Sequence, residues 1–277
     1  MRKILVTNDD GLSAQGLHVL ATVLASAYDV YIVAPDQERS GVSHAFTLLN
    51  PLRVDPAPEA LPENLIQSVY RCSGTPVDCV KMGLLTLFPD IRFDLVVSGI
   101  NPGANLSIDT LYSGTVAGAM EALIMGYPAI AVSLVSHPEQ FSSTRTHFET
   151  AAEVCFAFLR QHEEKILANR RFILNMNVPN LPRDEIQGIR HTAIGRCRYL
   201  DRYEVHNDPK GRPYYWLDGQ IQIEDERDCA DILAVRSGWV SISPLWYDLT
   251  ATGGLDELAS WTQSESPSDP SSPRRRG

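Results

Sequence analysis

Near its start the chain reads Ile4-Leu5-Val6-Thr7-Asn8-Asp9-Asp10-Gly11, a short apolar run that ends in a polar turn. The apolar run predicts a buried β-strand, which the polar residues from Asn8 to Gly11 end. Apolar residues at helical spacing follow over 17–24, and residues 30–33 form the next apolar run. A strand, a helix and a second strand in this order predict a βαβ unit, and therefore a parallel sheet.

The same alternation continues to about residue 174. Thr75 and Pro76 suit the N-cap and the first position of a helix that runs to about Leu87. The other predicted elements are strands over 95–97, 129–132 and 172–174, and helices over 117–125 and 146–168. Because these strands are continuously apolar, helices are expected on both faces of the sheet. The predicted fold class is therefore α/β, a three-layer arrangement around a mostly parallel sheet.

The character of the sequence changes at about Gly195. Residues 198–205 and 214–223 alternate and are rich in Tyr and Trp, and they flank a turn sequence at 207–211. This pattern predicts a long β-hairpin. Its exposed aromatic side chains indicate a contact between subunits, while a hairpin folded onto its own domain is the alternative.

These patterns divide the chain of 277 residues into four regions. They are a Rossmann-like α/β core at 1–194, an extended β-hairpin at 195–227, a returning strand with a C-terminal helix at 228–261, and a disordered tail at 262–277, where Ser, Pro and charged residues dominate. A chain of this length buries enough surface to fold without disulfides or a structural metal.

The composition excludes several classes of protein. There are 24 Lys and Arg residues against 34 Asp and Glu residues, a net charge of -10, which argues against a protein that binds DNA through a basic surface. Five cysteines without a CxxC pair are typical of reduced thiols in an intracellular protein. No run approaches the roughly 18 apolar residues of a membrane span, and no signal-peptide core follows Met1. We therefore expect a cytoplasmic protein.

Polar segments follow several predicted strands, at the sheet edge where α/β proteins bind ligands. Asp9 and Asp10 follow the first strand, and two adjacent carboxylates in a cleft favour a bound cation, although Asp-Asp-Gly alone is more often a turn. Ser40 and Asn101 follow two other strands and would complete a site made only of oxygen ligands. Such a site favours Mg²⁺ or Mn²⁺ over structural Zn²⁺.

A second polar segment, Ser113-Gly114-Thr115, precedes a predicted helix. Free backbone N–H groups and two hydroxyls at a helix start can bind phosphate, and Asn105 is a further candidate for the phosphate oxygens; the alternative is a simple helix cap. A phosphate site beside a divalent cation is the arrangement that hydrolyses phosphate esters. Asp9 or Asp10 would then orient or deprotonate the attacking water. His44 is close enough to the Ser40 loop to donate a proton, but a surface or packing role is favoured for it.

Six segments in chain order then resemble those of the stationary-phase survival protein SurE family. They are TNDDG at 7–11, APDxxxSGxSH from residue 34, GTPxDCV at 74–80, VSGINxGxN from residue 97, YSGTVxxAxE from residue 112, and NMNVPNLP at 175–182. The resemblance implies a Rossmann-like fold, metal ligands at Asp9, Asp10, Ser40 and Asn101, and dimers or tetramers built through the C-terminal portion. It also implies a metal-dependent phosphoric monoester hydrolase, a 5'-nucleotidase acting on nucleoside monophosphates, with 3'-nucleotides and short polyphosphate as further substrates.

Two positions depart from the family pattern. Ser107 and Ala122 stand where glycine is common in the family, which bears on the loop over the substrate rather than on the reaction.

Two alternative functions stay open. A phosphatase with a phosphoaspartyl intermediate is the nearest enzymatic alternative, but it needs Asp-x-Asp and the two acids here are adjacent. A Mg²⁺-binding receiver-like signalling module is the alternative outside enzymes, but the central strand lacks its phosphoacceptor Asp.

Overall fold

A central sheet of nine strands runs through the computed structural model of the protein, which describes residues 1–61, 65–135 and 146–263. Two further strands pair only with each other. The strands are β1 Lys3–Thr7, β2 Asp29–Pro35, β3 Val54–Pro56, β4 Ser68–Cys72, β5 Leu95–Asn101, β6 Ala129–Val135, β7 Ile173–Pro179, β8 Ile189–His191, β9 Cys197–Asn207, β10 Pro213–Ile223 and β11 Val240–Leu245.

The order of the central sheet is β3-β4-β2-β1-β5-β6-β7-β11-β8. Strands β4, β2, β1, β5, β6 and β7 are parallel neighbours, whereas β3 and β11 pair antiparallel with β4 and β7. The chain builds outward from β1 in both directions, so β1 and β5 lie at the point where the strand order reverses. In open α/β sheets ligands bind at the carboxyl ends of such strands.

Helices cover both faces of this sheet. They are α1 Gln15–Ala25, α2 Pro76–Met82, α3 Gly114–Ile124, α4 Phe148–Ala168 and α5 Asp231–Arg236. Ile4 and Val6 of β1 belong to a core shared with α1 and α4, while Leu5 between them belongs to a core shared with α2 and α3. Alternate residues of one strand thus enter two cores, which confirms the predicted three-layer α/β fold.

The start of α2 forms as its sequence predicts. Thr75 is the N-cap, Pro76 is the first helical residue, and the side chains of Thr75 and Asp78 each accept a hydrogen bond from the other's backbone N–H. This capping box satisfies donors that a helix start otherwise leaves unpaired. The helix ends at Met82, and residues Gly83–Leu87 continue it with wider π-helical turns.

The hairpin of β9 and β10 is confirmed, and its two faces differ. Register pairs Tyr203 with Leu217 and Val205 with Tyr215, so these four exposed side chains lie on one face together with Ile221. The other face carries the ion pair between Arg202 and Asp218, 2.6 Å apart, together with Trp216. The hairpin thus has one apolar face that is exposed to solvent in the single chain.

Four short elements differ from the sequence expectation, which contained none of them: β3, β4, β8 and α5. Strand β4 pairs with β2 along its whole length, yet its sequence Ser-Val-Tyr-Arg-Cys has no continuous apolar run. It lies near the sheet edge, where alternate residues stay partly exposed. The start of α3 also differs, at Gly114 instead of residue 117, because Ser113 caps it.

The residues up to Leu245 form one compact unit, and those from Trp246 onward belong to a second. In the second unit the rings of Trp246 and Tyr247 stack with centroids 4.1 Å apart, and helix α6 spans Thr252–Gln263. The predicted disordered tail lies outside the described residues from 264 on, and the four-region division stays a prediction. No described helix has the length and apolar character that crossing a membrane requires. All five cysteines, which lie in the described part, are free thiols.

Candidate active site

The carboxyl ends of β1 and β5 bring the predicted acidic residues to the point where the strand order reverses. Thr7, the last residue of β1, is in register with Ser98 of β5. Asp9 follows two residues after Thr7, and Asn101 follows three residues after Ser98. Both side chains therefore arise from the same edge of the sheet, as the sequence predicts.

Asp9 is buried against the start of α3. Only 3% of its surface is exposed. Its carboxylate accepts hydrogen bonds from the hydroxyl and the backbone N–H of Thr115. Burial raises the pKa of Asp9 above its ordinary value, although the bonds from Thr115 oppose that shift. The partly positive N-terminus of α3 thus holds this carboxylate in a fixed orientation.

Gly114 permits that close approach. A Cβ atom added to Gly114 would lie 2.8 Å from the Cβ of Asp9, closer than such atoms come in real structures. The absence of a side chain at this position therefore sets the distance between the carboxylate and the helix. The glycine signal in the sequence predicted a polar loop, but not this contact.

Asp10 is partly buried beside Asp9. Burial, followed by the negative charges of Asp9 and Glu38, raises its pKa to about 7. Among the described residues its Oδ2 atom has no hydrogen-bond partner, although it is shielded from solvent. A buried carboxylate oxygen in this state needs a proton or a cation.

The Ser40 loop joins the acidic pair through its backbone. The N–H of Arg39 donates to the backbone oxygen of Asp9 over 2.7 Å, which places Ser40 next to the acidic turn. The Ser40 hydroxyl donates to Glu38 Oε1 over 2.8 Å. Glu38 is a third carboxylate that sequence reasoning missed, because a single exposed Glu in a loop carries no distinguishing pattern.

Asn101 is the last residue of β5 and lies at the same edge of the sheet. Its Nδ2 donates to the oxygen of Gly103 over 3.0 Å, so its amide oxygen is the atom suited to a cation. Asp9, Asp10, Ser40 and Asn101 provide only oxygen donors, which Mg²⁺ and Mn²⁺ prefer. In the described part of the chain no three His, Cys, Asp or Glu side chains converge on one point. A cation here would therefore use hydroxyl, amide and water oxygens besides carboxylates, and the residues present fit such an ion.

The segment 113–115 acts first as the cap of α3. Ser113 Oγ accepts from the N–H of Val116 over 3.0 Å, and both donors of Thr115 are directed to Asp9. The capping alternative is therefore realised for Ser113, whose hydroxyl keeps a proton that it can donate. The predicted phosphate contacts of Ser113, Gly114 and Thr115 stay a prediction.

Asn105 is placed farther along the same edge, against β6 and β7. Its Nδ2 donates to Ser133 Oγ over 2.8 Å, and its backbone N–H donates to Asn177 Oδ1 over 2.9 Å. Asn175 and Asn177 donate in return to its backbone oxygen. These bonds fix the loop that follows β5, and a phosphate contact from Asn105 is an untested prediction.

Ser107, one of the two departures from the family pattern, has a structural reason for glycine at its position. Its φ angle is 52°, a left-handed conformation that favours glycine. Here its N–H donates to Asp231 Oδ2 over 2.9 Å and its hydroxyl to the oxygen of Gly195 over 2.8 Å. Asp109 in the same loop accepts from Tyr199 Oη over 2.6 Å. The loop that follows β5 is thus joined to the base of the hairpin.

A second polar cluster lies between α2 and α3. Glu121 Oε2 bonds with His44 Nε2 over 2.8 Å, and its other carboxylate oxygen pairs with Lys81. Burial alone would raise the pKa of Glu121, but the bonds from His44 and Lys81 outweigh burial and hold it below its ordinary value. The sequence favours a surface or packing role for His44, and no local pattern connects it with residues this far away along the chain.

The strand order defines a doubly wound α/β protein, and carboxylate, hydroxyl and amide oxygens lie at the carboxyl ends of its strands. Comparison with known proteins agrees with that class. Residues 4–201 match the model of the family described as survival protein SurE, and the chain belongs to this family. A crystal structure of a SurE protein from Aquifex aeolicus is similar with a TM-score of 0.78 and 35% identity, covering 94% of this chain and 99% of that one.

Full-length relatives support the assignment. A protein named 5'-nucleotidase SurE from Synechococcus sp. (strain JA-3-3Ab) is 44% identical over 93% of this chain and 96% of its own length. A protein of the same name from Gloeobacter violaceus is 45% identical over 92% of this chain and 94% of its own length. The resemblance noted in the sequence is therefore confirmed.

Proposed function

We propose that this protein hydrolyses nucleoside 5'-monophosphates to nucleoside and phosphate, using a divalent cation held by Asp9, Asp10, Ser40 and Asn101. The relatives named 5'-nucleotidase extend over almost the whole chain, and this supports the reaction and substrate class. The main observation in favour of the cation site is that Asp10 Oδ2 is shielded from solvent without a hydrogen-bond partner in the described part of the chain and lies beside a second buried carboxylate. Two such groups need an opposite charge to remain ionised.

Different residues of the chain have different roles in the proposed reaction. Thr115 and the start of α3 hold Asp9 in one orientation, so Asp9 is suited to a fixed cation ligand. Asp10 is the second carboxylate, and it can accept a proton from the attacking water. The hydroxyl of Ser113 donates to a phosphate oxygen. A divalent cation, when bound, polarises the phosphate ester and offsets the negative charge of the cleft.

A substrate panel tests this function. Purified protein is given 5'-AMP, 3'-AMP and short polyphosphate with Mn²⁺, with Mg²⁺ and with EDTA. Hydrolysis of 5'-AMP is expected with either metal and to fall at least about 10²-fold in EDTA, because the acidic cleft then repels the phosphate. If 5'-AMP is not hydrolysed with either metal, the proposed function is wrong.

The apolar face of the hairpin supports the predicted homodimer or homotetramer. Five exposed side chains form this face: Tyr203, Val205, Tyr215, Leu217 and Ile221. A two-stranded hairpin is marginal in water unless one face is covered. A second copy of the chain is the occupant that we propose.

The double variant Tyr203→Lys, Leu217→Lys tests this contact. These residues are a directly opposed pair, so two added charges disrupt the face that would be buried. We expect a smaller species than wild type in sedimentation velocity. Gln220→Lys with Gln222→Lys adds the same charge to the opposite face and is expected to leave the oligomer intact. A Tyr203, Leu217 variant that sediments like wild type contradicts the proposal.

Nucleoside monophosphates are thus the proposed partners, and the proposal includes neither DNA nor a membrane surface. The cytoplasmic location is kept as a prediction from the sequence.

A further inference from the structure

The cluster of His44, Glu121 and Lys81 has no part in the proposed cation site, yet it is built as an orienting device. The side chain of Glu121 is only 6% exposed, and each of its carboxylate oxygens has a basic partner. The His44 side chain is 37% exposed. A buried carboxylate that bonds one ring nitrogen of a histidine fixes the ring and directs the other nitrogen outward.

The backbone around His44 is fixed on both sides. The N–H of Ser43 donates to the oxygen of Tyr112 over 2.9 Å, and its hydroxyl donates to the oxygen of Leu111 over 2.6 Å. The oxygen of Ala45 accepts from Thr75 Oγ1 over 2.7 Å at the start of α2. His44 therefore lies between the starts of α2 and α3 at the carboxyl edge of the sheet.

Short stretches of chain link His44 to the proposed reaction site. Tyr112, which holds Ser43, is two residues before Gly114, and Gly114 packs directly against Asp9. Ser40, a proposed cation ligand, is four residues before His44. Consecutive Cα atoms are about 3.8 Å apart, so the four-residue link limits the distance between the Cα atoms of Ser40 and His44 to about 15 Å.

We propose that His44 is the general acid that protonates the leaving oxygen of the nucleoside, and that Glu121 is its positioning residue. This inference rests on the proposed phosphomonoesterase reaction and adds a catalytic residue to it. Among the described residues none bonds His44 Nδ1, so this nitrogen is left available to give a proton to the ester.

The step balances as follows. The oxygen of water forms a bond to phosphorus while the bond between phosphorus and the nucleoside 5' oxygen breaks. The leaving oxygen keeps the bonding electron pair and takes the proton of His44 Nδ1. The water proton goes to the Asp10 carboxylate, and both side chains then exchange protons with solvent. One water is consumed, and the products are the nucleoside and phosphate.

Leaving-group dependence tests the role of His44. A nucleoside alkoxide needs a proton in order to leave, whereas p-nitrophenolate leaves without one. In His44→Gln we expect kcat for 5'-AMP to fall by about 10²-fold or more, and kcat for p-nitrophenyl phosphate to change by less than about 5-fold. Glu121→Gln is expected to give the same selectivity with a smaller loss.

Equal losses on both substrates would show that His44 only shapes the loop, and no loss on either would show that it has no part; each overturns the proposal. His18→Gln on α1 is the matched control, since it removes a histidine that bonds Leu12 in the other layer. If His44→Gln does not fold, the comparison is made with wild-type protein. A general acid predicts comparable kcat for 5'-AMP and p-nitrophenyl phosphate. A kcat that instead rises with the acidity of the leaving group overturns the proposal. A wild type inactive on 5'-AMP but active on p-nitrophenyl phosphate would instead refute the proposed substrate class.

Discussion

Asp9→Asn is expected to lower kcat for 5'-AMP hydrolysis on the order of 10³-fold at the Mn²⁺ concentration that saturates wild type. The substitution keeps the shape of the side chain but removes the charge that a cation requires. It also replaces an acceptor of two hydrogen bonds from Thr115 by an amide, which disturbs the start of α3. Initial rates of phosphate release, measured over a range of Mn²⁺ concentrations, check the expectation.

Asp55→Asn is the matched control for that measurement. Asp55 lies on β3 at the far edge of the sheet and is exposed, so the same change of charge is made away from the cleft. Wild-type kinetics are expected for this control. An Asp9→Asn protein with near wild-type activity would refute the assignment of Asp9.

Asp10→Asn is expected to stabilise the protein in the absence of metal. The pKa of Asp10 is about 7 in the fold against an ordinary value of 3.8, so the folded state holds a proton that the unfolded state releases at lower pH. Stability therefore falls as pH rises from about 4 to about 7, by at most about 4 kcal/mol for a shift of this size. The neutral amide avoids this loss.

Urea denaturation in EDTA measures this effect. At pH 8 the Asp10→Asn protein is expected to unfold at higher urea than wild type, and at pH 4 the difference is expected to vanish because Asp10 of wild type is then largely protonated. Added Mn²⁺ is expected to stabilise wild type but not the variant. A variant less stable than wild type at pH 8 in EDTA contradicts the electrostatic account of this site.

The sequence predicted the elements whose signals are local. The apolar run of β1, the helix start at Thr75 and Pro76, and the alternation of β9 and β10 are each local patterns, and all three form as predicted. Strand β4 could not be predicted in this way. Its stability depends on pairing with β2 and on its place near the sheet edge, and neither is visible in five residues.

The same distinction holds for the candidate site. Parallel topology alone predicts that residues after β1 and β5 lie at one edge of the sheet, and the sequence therefore predicts Asp9, Asp10 and Asn101 as site residues. The bond of Thr115 to Asp9 and that of Glu121 to His44 join residues far apart in the chain. Such contacts follow from how α3 packs on the sheet, with Gly114 against Asp9, which no local pattern encodes.

Direct binding of Mn²⁺ to the metal-free protein tests the central claim, a divalent cation site at Asp9 and Asp10. Isothermal titration calorimetry of wild type at pH 8 is expected to show one saturable site per chain, and the same titration of Asp9→Asn is expected to show none. If wild type binds no Mn²⁺, or if Asp9→Asn binds it with wild-type affinity, the cation is not held by this pair of carboxylates.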